Sequence, residues 1–167
     1  ATIGVVGLGY VGLPLVLTFG KKNYRVIGFD IDKAKTDSLQ AGESYIRHIP
    51  NERISELIES KRFEPTTNFE LISQCDAILL CVPTPLNANR EPNMAYVEGT
   101  ANSIAPHLRK GQLLVLESTT YPGTTTGLLQ QLLEDGSDLK AGEDFWLAYS
   151  PEREDPGNPN FDTQRIP

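Results

Sequence analysis

Apolar residues fall in short, nearly continuous runs separated by stretches in which they recur at helical spacing. The runs "TIGVVG", "RVIGFD", "AILLCV", "LLVLES" and "FWLAYS", with a weaker one at Phe63–Thr66, are rich in β-branched residues. They read as strands covered on both faces, because a strand of a parallel sheet with helices above and below shows little alternation. Between them the pattern predicts helices over Val11–Lys22, Lys33–Ala41, Asn51–Ser60, Ala95–Leu108 and Thr124–Glu134, and a short one near Phe69–Gln74. In the third, Ile54, Leu57 and Ile58 form one apolar stripe, expected to be core. Strands alternating with helices predict repeated βαβ units around a parallel sheet. Two longer connections, "GESYIRHIP" and "PTPLNANREPNM", carry charge with Pro or Gly and no period, which marks them as candidates for function.

Two of these elements meet at a glycine pattern. "VVGLGYVGLPL" sets Gly7, Gly9 and Gly12 in G-x-G-x-x-G directly after the first strand and at the opening of a helix. In that setting Gly7 allows the tight turn, Gly9 lets backbone approach a pyrophosphate, and Gly12 brings helix against strand, with the helix N-terminus facing the anion. The second strand ends at Asp30, at about the ~20-residue spacing where such units put a carboxylate on the adenosine ribose. Together they predict an α/β, doubly wound Rossmann-type parallel sheet of about six strands, with helices on both faces, that binds a dinucleotide. Asp32 reads as a cap for the next helix, and Lys35 as either a contact to the adenosine phosphate or a solvated charge. Asp30 favours NAD over NADP: like charges ~4 Å apart repel by roughly 4 kcal/mol at an effective dielectric of about 20, opposing a 2′-phosphate.

Composition narrows the function class. The chain has 167 residues, 39% hydrophobic and 22% charged, a balance suited to one globular domain. A formal net charge of −7 offers no basic footprint for nucleic acid or an anionic membrane surface. No apolar stretch approaches a membrane span and the N-terminus has no signal-peptide pattern, so a cytoplasmic location is expected. Cys75 and Cys81 make no disulfide framework and no Cys/His cluster has metal-ligand spacing, so no metal is expected; Cys81 reads as a buried strand thiol. Both ends look cut, which suggests a piece of something longer.

In a doubly wound sheet the ligand crosses the carboxyl ends of the strands. The fourth strand ends in "CVPTP" and the fifth in "LESTTYPGTT", bringing Pro83, Thr84, Ser118 and Thr119 to that edge; the last strand runs into "SPERE", with Glu152 and Arg153. The set "GLGYVGLP", "CVPTPL", "ESTTYPGTT" and "SPERE" resembles the UDP-glucose/GDP-mannose dehydrogenase family over essentially the whole chain. "SPEREDPGN" and "SYIRHI" look most like its UDP-N-acetylglucosamine 6-dehydrogenases.

The resemblance implies oxidation of the C6 alcohol of a UDP-sugar to a carboxylate, by two hydride transfers to NAD through a covalent intermediate on a cysteine, in polysaccharide biosynthesis. It implies cofactor contacts from Gly7, Gly9, Gly12, Asp30, Thr84 and Thr119; Tyr10 and Val11 in the glycine turn, Lys35 on the next helix, and Pro83 and Ser118 at the strand ends are further cofactor-binding candidates by their position. Glu152 would be the base for the water that hydrolyses the thioester, and Thr119 would help hold that water. Arg153 would face the substrate or pair with Glu154 or Asp155, while Arg90 and His48, on the long loops, would face substrate or solvent. Neither Cys75 nor Cys81 matches the family nucleophile. Residues 1–167 are thus expected to be the NAD-binding domain of a longer nucleotide-sugar dehydrogenase, a homo-oligomer when whole and inactive as this piece. Pro156 stands where UDP-glucose dehydrogenases have a second glutamate, which argues against glucose. Two other readings share the glycine motif: an N-terminal domain of the 3-hydroxyacid or 6-phosphogluconate dehydrogenase type, which "SPERE" and "STTYPGTT" oppose, and a non-catalytic dinucleotide sensor.

Overall fold

The computed structural model describes residues 1–83, 85–91, 93–117 and 124–150. Six strands, β1 (Thr2–Val6), β2 (Arg25–Phe29), β3 (Phe63–Thr66), β4 (Ala77–Leu80), β5 (Leu113–Glu117) and β6 (Trp146–Ser150), form one sheet in the order β3-β2-β1-β4-β5-β6. All five ladders are parallel. The order reverses between β1 and β4, and a crevice outside their carboxyl ends is where such a sheet takes its ligand. Helices α1 (Gly12–Lys21), α2 (Lys33–Gln40), α3 (Asn51–Glu59), α4 (Ala95–Ile104) and α5 (Thr124–Ser137) make the crossovers. The doubly wound α/β sheet read from the sequence is the fold.

Strand residues alternate between two cores. Val5, Val26 and Leu79 join Leu13, Leu17, Leu39, Ile54 and Leu57 on the α1–α3 side. Val6, Ile27, Ile78, Leu80 and Leu114 join Val97, Ile104, Leu129, Leu133 and Phe145 on the α4–α5 side. Burying each such side chain stabilises by about 1.5–3 kcal/mol, and cover on both faces explains the unbroken apolar runs. Pro65 is tolerated because β3 is an edge strand, where a missing donor breaks no second ladder.

Three boundaries differ from expectation for local reasons. The helix expected over Ala95–Leu108 leaves α geometry after Ile104 and finishes as the 3-10 turn Ala105–His107, because Pro106 lacks a donor and its ring crowds the preceding turn. Conversely, α5 runs past Glu134 to Ser137 despite Gly136, where a Cβ would stand 2.6 Å from the Ala105 Cβ. That glycine is a place of close helix crossing. Cys81 lies just after β4 rather than within it, yet is buried as expected. The Ile54–Leu57–Ile58 stripe is core, and Asp32 caps α2 by accepting from the Ala34 N–H at 3.0 Å.

Candidate functional site: the crevice at the carboxyl ends of β1 and β4

Between β1 and α1 the chain makes its turn at Gly7, which is in the left-handed region at φ +94. The Gly7 N–H donates to Phe29 of β2 at 2.8 Å, and the Cys81 N–H beyond β4 donates to the Val6 carbonyl at 2.8 Å. A Cβ at Gly7 would stand 2.5 Å from the Cys81 carbonyl oxygen, and one at Gly12 only 1.7 Å from the Gly7 carbonyl oxygen. Both glycines are required by the chain's own crossing at the switch point. Gly9 is different: a Cβ there would meet nothing within 4 Å, and its φ lies outside the left-handed region. Among the described residues the space above Gly9 is open, and none of them gives a packing reason for a glycine there.

The same stretch carries unused donors. Backbone N–H groups of Gly9, Tyr10, Val11 and Gly12 meet no acceptor among the described residues, and α1 has no side-chain cap at Val11, the residue before it, and no acid in its first turn. Donors at a helix N-terminus with open space before them suit an anion. Tyr10 is 62% exposed beside them. The turn therefore fits the pyrophosphate of a dinucleotide.

Asp30 follows β2 and is half-buried. Its Oδ2 accepts from the Leu8 N–H at 3.0 Å and its Oδ1 from the Asp32 N–H at 2.9 Å. Each carboxylate oxygen has a second lone pair, so the group can still accept from ribose hydroxyls. Ile31, immediately after it, is 79% exposed at the strand end and offers the apolar surface on which a base can lie.

Tyr45, from the α2–α3 connection, reaches this cluster and donates its hydroxyl hydrogen to the Leu8 carbonyl. Lys35 of α2 sits over its ring, with Nζ 5.8 Å from the centroid. Burial pushes the Tyr45 hydroxyl well above the usual phenol range, and the negative charges of Asp30 and Asp32 push it further, so the proton stays on the hydroxyl. Sequence reasoning missed both Tyr45 and Ile31. The tyrosine's partner is 37 residues away, and its only trace was the irregular connection around it. That connection is held by Ile46 and Ile49, buried in the α1–α3 core, while Arg47 and His48 point to solvent.

Of the other expected site residues, Pro83 is exposed just beyond β4 on the crevice side of the sheet. Arg90 is exposed in a separate turn at φ +59, where Asn87 Oδ1 accepts from the Asn89 and Glu91 N–H groups. Thr84, Ser118, Thr119, Glu152 and Arg153 lie outside the described residues. Among the described residues no group of three or more His, Cys, Asp or Glu could hold a metal ion, and no helix is long and apolar enough to cross a membrane.

Cys75 and Cys81 form no disulfide. Cys75 is fully buried at the amino end of β4, and burial pushes its thiol up to about 12. A thiol so placed is at the wrong end of the sheet and in the wrong protonation state for a nucleophile.

Comparison with known proteins agrees with this geometry. Residues 1–167 match the family model described as "UDP-glucose/GDP-mannose dehydrogenase family, NAD binding domain". The chain is 38% identical over 156 residues to the UDP-N-acetyl-D-glucosamine 6-dehydrogenase of Pseudomonas aeruginosa, covering 93% of this chain and 36% of that protein. It is 39% identical over 163 residues to the UDP-N-acetyl-D-mannosamine dehydrogenase of Escherichia coli K12, covering 94% of this chain and 38% of the relative. Among solved structures, a UDP-D-ManNAc dehydrogenase from Pyrococcus horikoshii superposes with a TM-score of 0.87 at 33% identity, covering 94% of this chain and 37% of that one. The chain thus spans little more than a third of the length of these relatives.

Proposed function

Because the chain belongs to the UDP-glucose/GDP-mannose dehydrogenase family, as its NAD binding domain, we propose that it is the cofactor half of a dehydrogenase that oxidises C6 of a UDP-sugar to a carboxylate. The observation that carries this reading is the pairing of an open turn at Gly9 with Asp30 at the end of the neighbouring strand. Family membership sets aside the 3-hydroxyacid and 6-phosphogluconate alternatives. A sensor without catalysis would need the family's chemistry to have been lost, and nothing in the site favours that.

Bound NAD would supply the hydride acceptor. This chain's part is to hold it: the N–H groups of Gly9 to Gly12 on the pyrophosphate, Asp30 on the adenosine ribose, Ile31 under the base, and Pro83 with Thr84, Ser118 and Thr119 toward the nicotinamide end. Glu152 is assigned as the base for the water that releases the acid, with Thr119 orienting that water. Arg153, Arg90 and His48 are assigned to the substrate side. The N-acetylhexosamine identity of the sugar is supported by the relatives of that specificity and by Pro156 in place of a second carboxylate.

The nucleophilic cysteine and most of the sugar pocket are assigned to parts of the whole protein outside residues 1–167, and the whole protein to a homo-oligomer. Two buried cysteines without a disulfide suit the reducing cytoplasm, where we place it.

The test has two arms. The 167-residue chain should bind NAD by calorimetry yet show no sustained rise in reduced-nicotinamide absorbance with UDP-N-acetylglucosamine. In the whole protein, Glu152→Gln should let an acyl-enzyme adduct build up, visible by intact-protein mass spectrometry. Turnover by the chain alone, or normal turnover by the variant, would refute these assignments.

A further inference from the structure

We propose that Tyr45 is a positioning residue for the dinucleotide turn: its hydroxyl holds the peptide after Leu8 while the Asp30 carboxylate holds the peptide before it, and together they preset the donors at Gly9 to Gly12 for a pyrophosphate. This rests on the reading of the crevice as the NAD site.

Leu8 lies between the first two glycines of the turn, with its side chain fully buried in the α1–α3 core. Its N–H is taken by Asp30 Oδ2 at 3.0 Å and its carbonyl by the Tyr45 hydroxyl. The two peptide planes that flank the Leu8 Cα are thus fastened to two other parts of the fold, the first to the end of β2 and the second to the α2–α3 connection. A peptide plane turns about one soft dihedral on each side, and those contributed by the flanking glycines Gly7 and Gly9 are freer than any other residue would leave them. Without side-chain anchors the turn would sample orientations in which the following N–H groups diverge. Affinity would then fall by the fraction of molecules holding the competent arrangement.

Tyr45 is itself well supported for this role. Ile46, the next residue, is buried, and the preceding Ser44 donates its N–H to Asn51 Oδ1 at 2.9 Å while its hydroxyl accepts from the Ile46 N–H at 3.1 Å. The ring is further fixed by the Lys35 ammonium 5.8 Å from its centroid. A hydroxyl whose ionisation is opposed by burial and two carboxylates is a dependable donor across the working pH range. Tyr45 therefore ties Lys35, Asp30 and the glycine turn into one unit, although it need touch no reacting atom.

The test is Tyr45→Phe, which keeps the ring and removes only the hydroxyl. Binding of NAD, ADP-ribose and adenosine is measured by calorimetry, with weak adenosine binding read by competition. Losing one hydrogen bond on the turn should weaken NAD and ADP-ribose by about fivefold. Adenosine, which has no pyrophosphate, should bind the variant as it binds the original. Amide exchange should speed up at Leu8 and Leu13, whose N–H groups are bonded to Asp30 and to the Gly9 carbonyl, and not in α4. Equal ADP-ribose affinity in variant and original would overturn the proposal, as would a parallel loss for all three ligands together with a lowered melting temperature. Failure of the unmodified protein to bind NAD would instead overturn the reading of the site.

Discussion

The two ends of the sheet use polar groups in opposite ways. At the amino end every principal polar group is consumed by the protein. Gln112 is fully buried, donates through Nε2 to the Ile72 and Cys75 carbonyls at 2.9 and 2.8 Å, and accepts from the Arg109 N–H at 2.8 Å. The Arg109 guanidinium spans Ser73, Cys75 and Asp76, and Asp76 also accepts from the Thr2 N–H at 2.7 Å. At the carboxyl end four successive backbone donors meet no acceptor among the described residues, and Tyr10 and Ile31 present apolar surface. One end holds the strands together, while the other keeps its bonding capacity for a ligand. The difference teaches where function lies in a fold whose two ends carry similar residue types.

The contrast can be broken most severely within the glycine motif. Gly12→Ala sets a Cβ against the Gly7 backbone and should destabilise by about 4 kcal/mol or prevent folding, seen by thermal denaturation. Gly9→Val should leave the melting temperature nearly unchanged yet cost about a hundredfold in NAD affinity by calorimetry. A large stability loss for the valine variant would mean that the space above Gly9 is not ligand space.

At the other end, Gln112→Leu strands the Arg109 N–H and takes one of two donors from each of the Ile72 and Cys75 carbonyls, and should cost about 2 kcal/mol. That corresponds to a fall of roughly 5 °C in melting temperature, with NAD affinity unchanged. Asp30→Ala comes next: about a tenfold loss of NAD affinity and a narrowed advantage over NADP. Equal binding of NADP and NAD by the unmodified protein would show Asp30 to be misassigned.

The smallest effect is acid-dependent. The Thr2 N–H, then the Arg109 guanidinium, hold the Asp76 carboxyl below the usual carboxylate range. Its contribution is therefore complete above the ordinary value of about 3.9 and is lost as pH falls through the lower folded value. Asp76→Asn should lower stability slightly at neutral pH and flatten the acid limb of a melting-temperature profile. An unchanged acid limb would remove Asp76 from the account.

Much of this was legible in the sequence because it follows from local pattern. Doubly covered strands announce themselves as unbroken apolar runs, and Gly7, Gly9, Gly12 and Asp30 stand at spacings set by one βαβ unit. What escaped notice depends on distant contacts. Tyr45 and Leu8 meet only once the α2–α3 connection has folded back over the turn. Gln112 drew no expectation, since nothing local reveals that two carbonyls from the turn at Phe69–Gln74 and its end will surround it. The run of α5 past Glu134 to Ser137 also escaped, because what Gly136 packs against, Ala105, belongs to a different crossover. Within the motif, Gly7 and Gly12 are the two glycines that a Cβ would crowd, in line with the turn and packing roles that their places in the pattern predict.

The double engagement of Asp30 bears on how freely the preference for NAD could drift. Exchanging the acid at this position for a neutral or basic residue is the obvious evolutionary or engineering route to NADP. Here the same carboxylate fastens the Leu8 and Asp32 N–H groups, so the exchange loosens the turn before any new contact to a phosphate can compensate. A single-step switch would thus pass through a poorer binder of both cofactors. The accessible path begins with a residue that can still accept a hydrogen bond, such as asparagine or serine, and recruits the cation afterwards. Cofactor choice in this domain is protected by its own architecture as well as by selection for the reaction it serves.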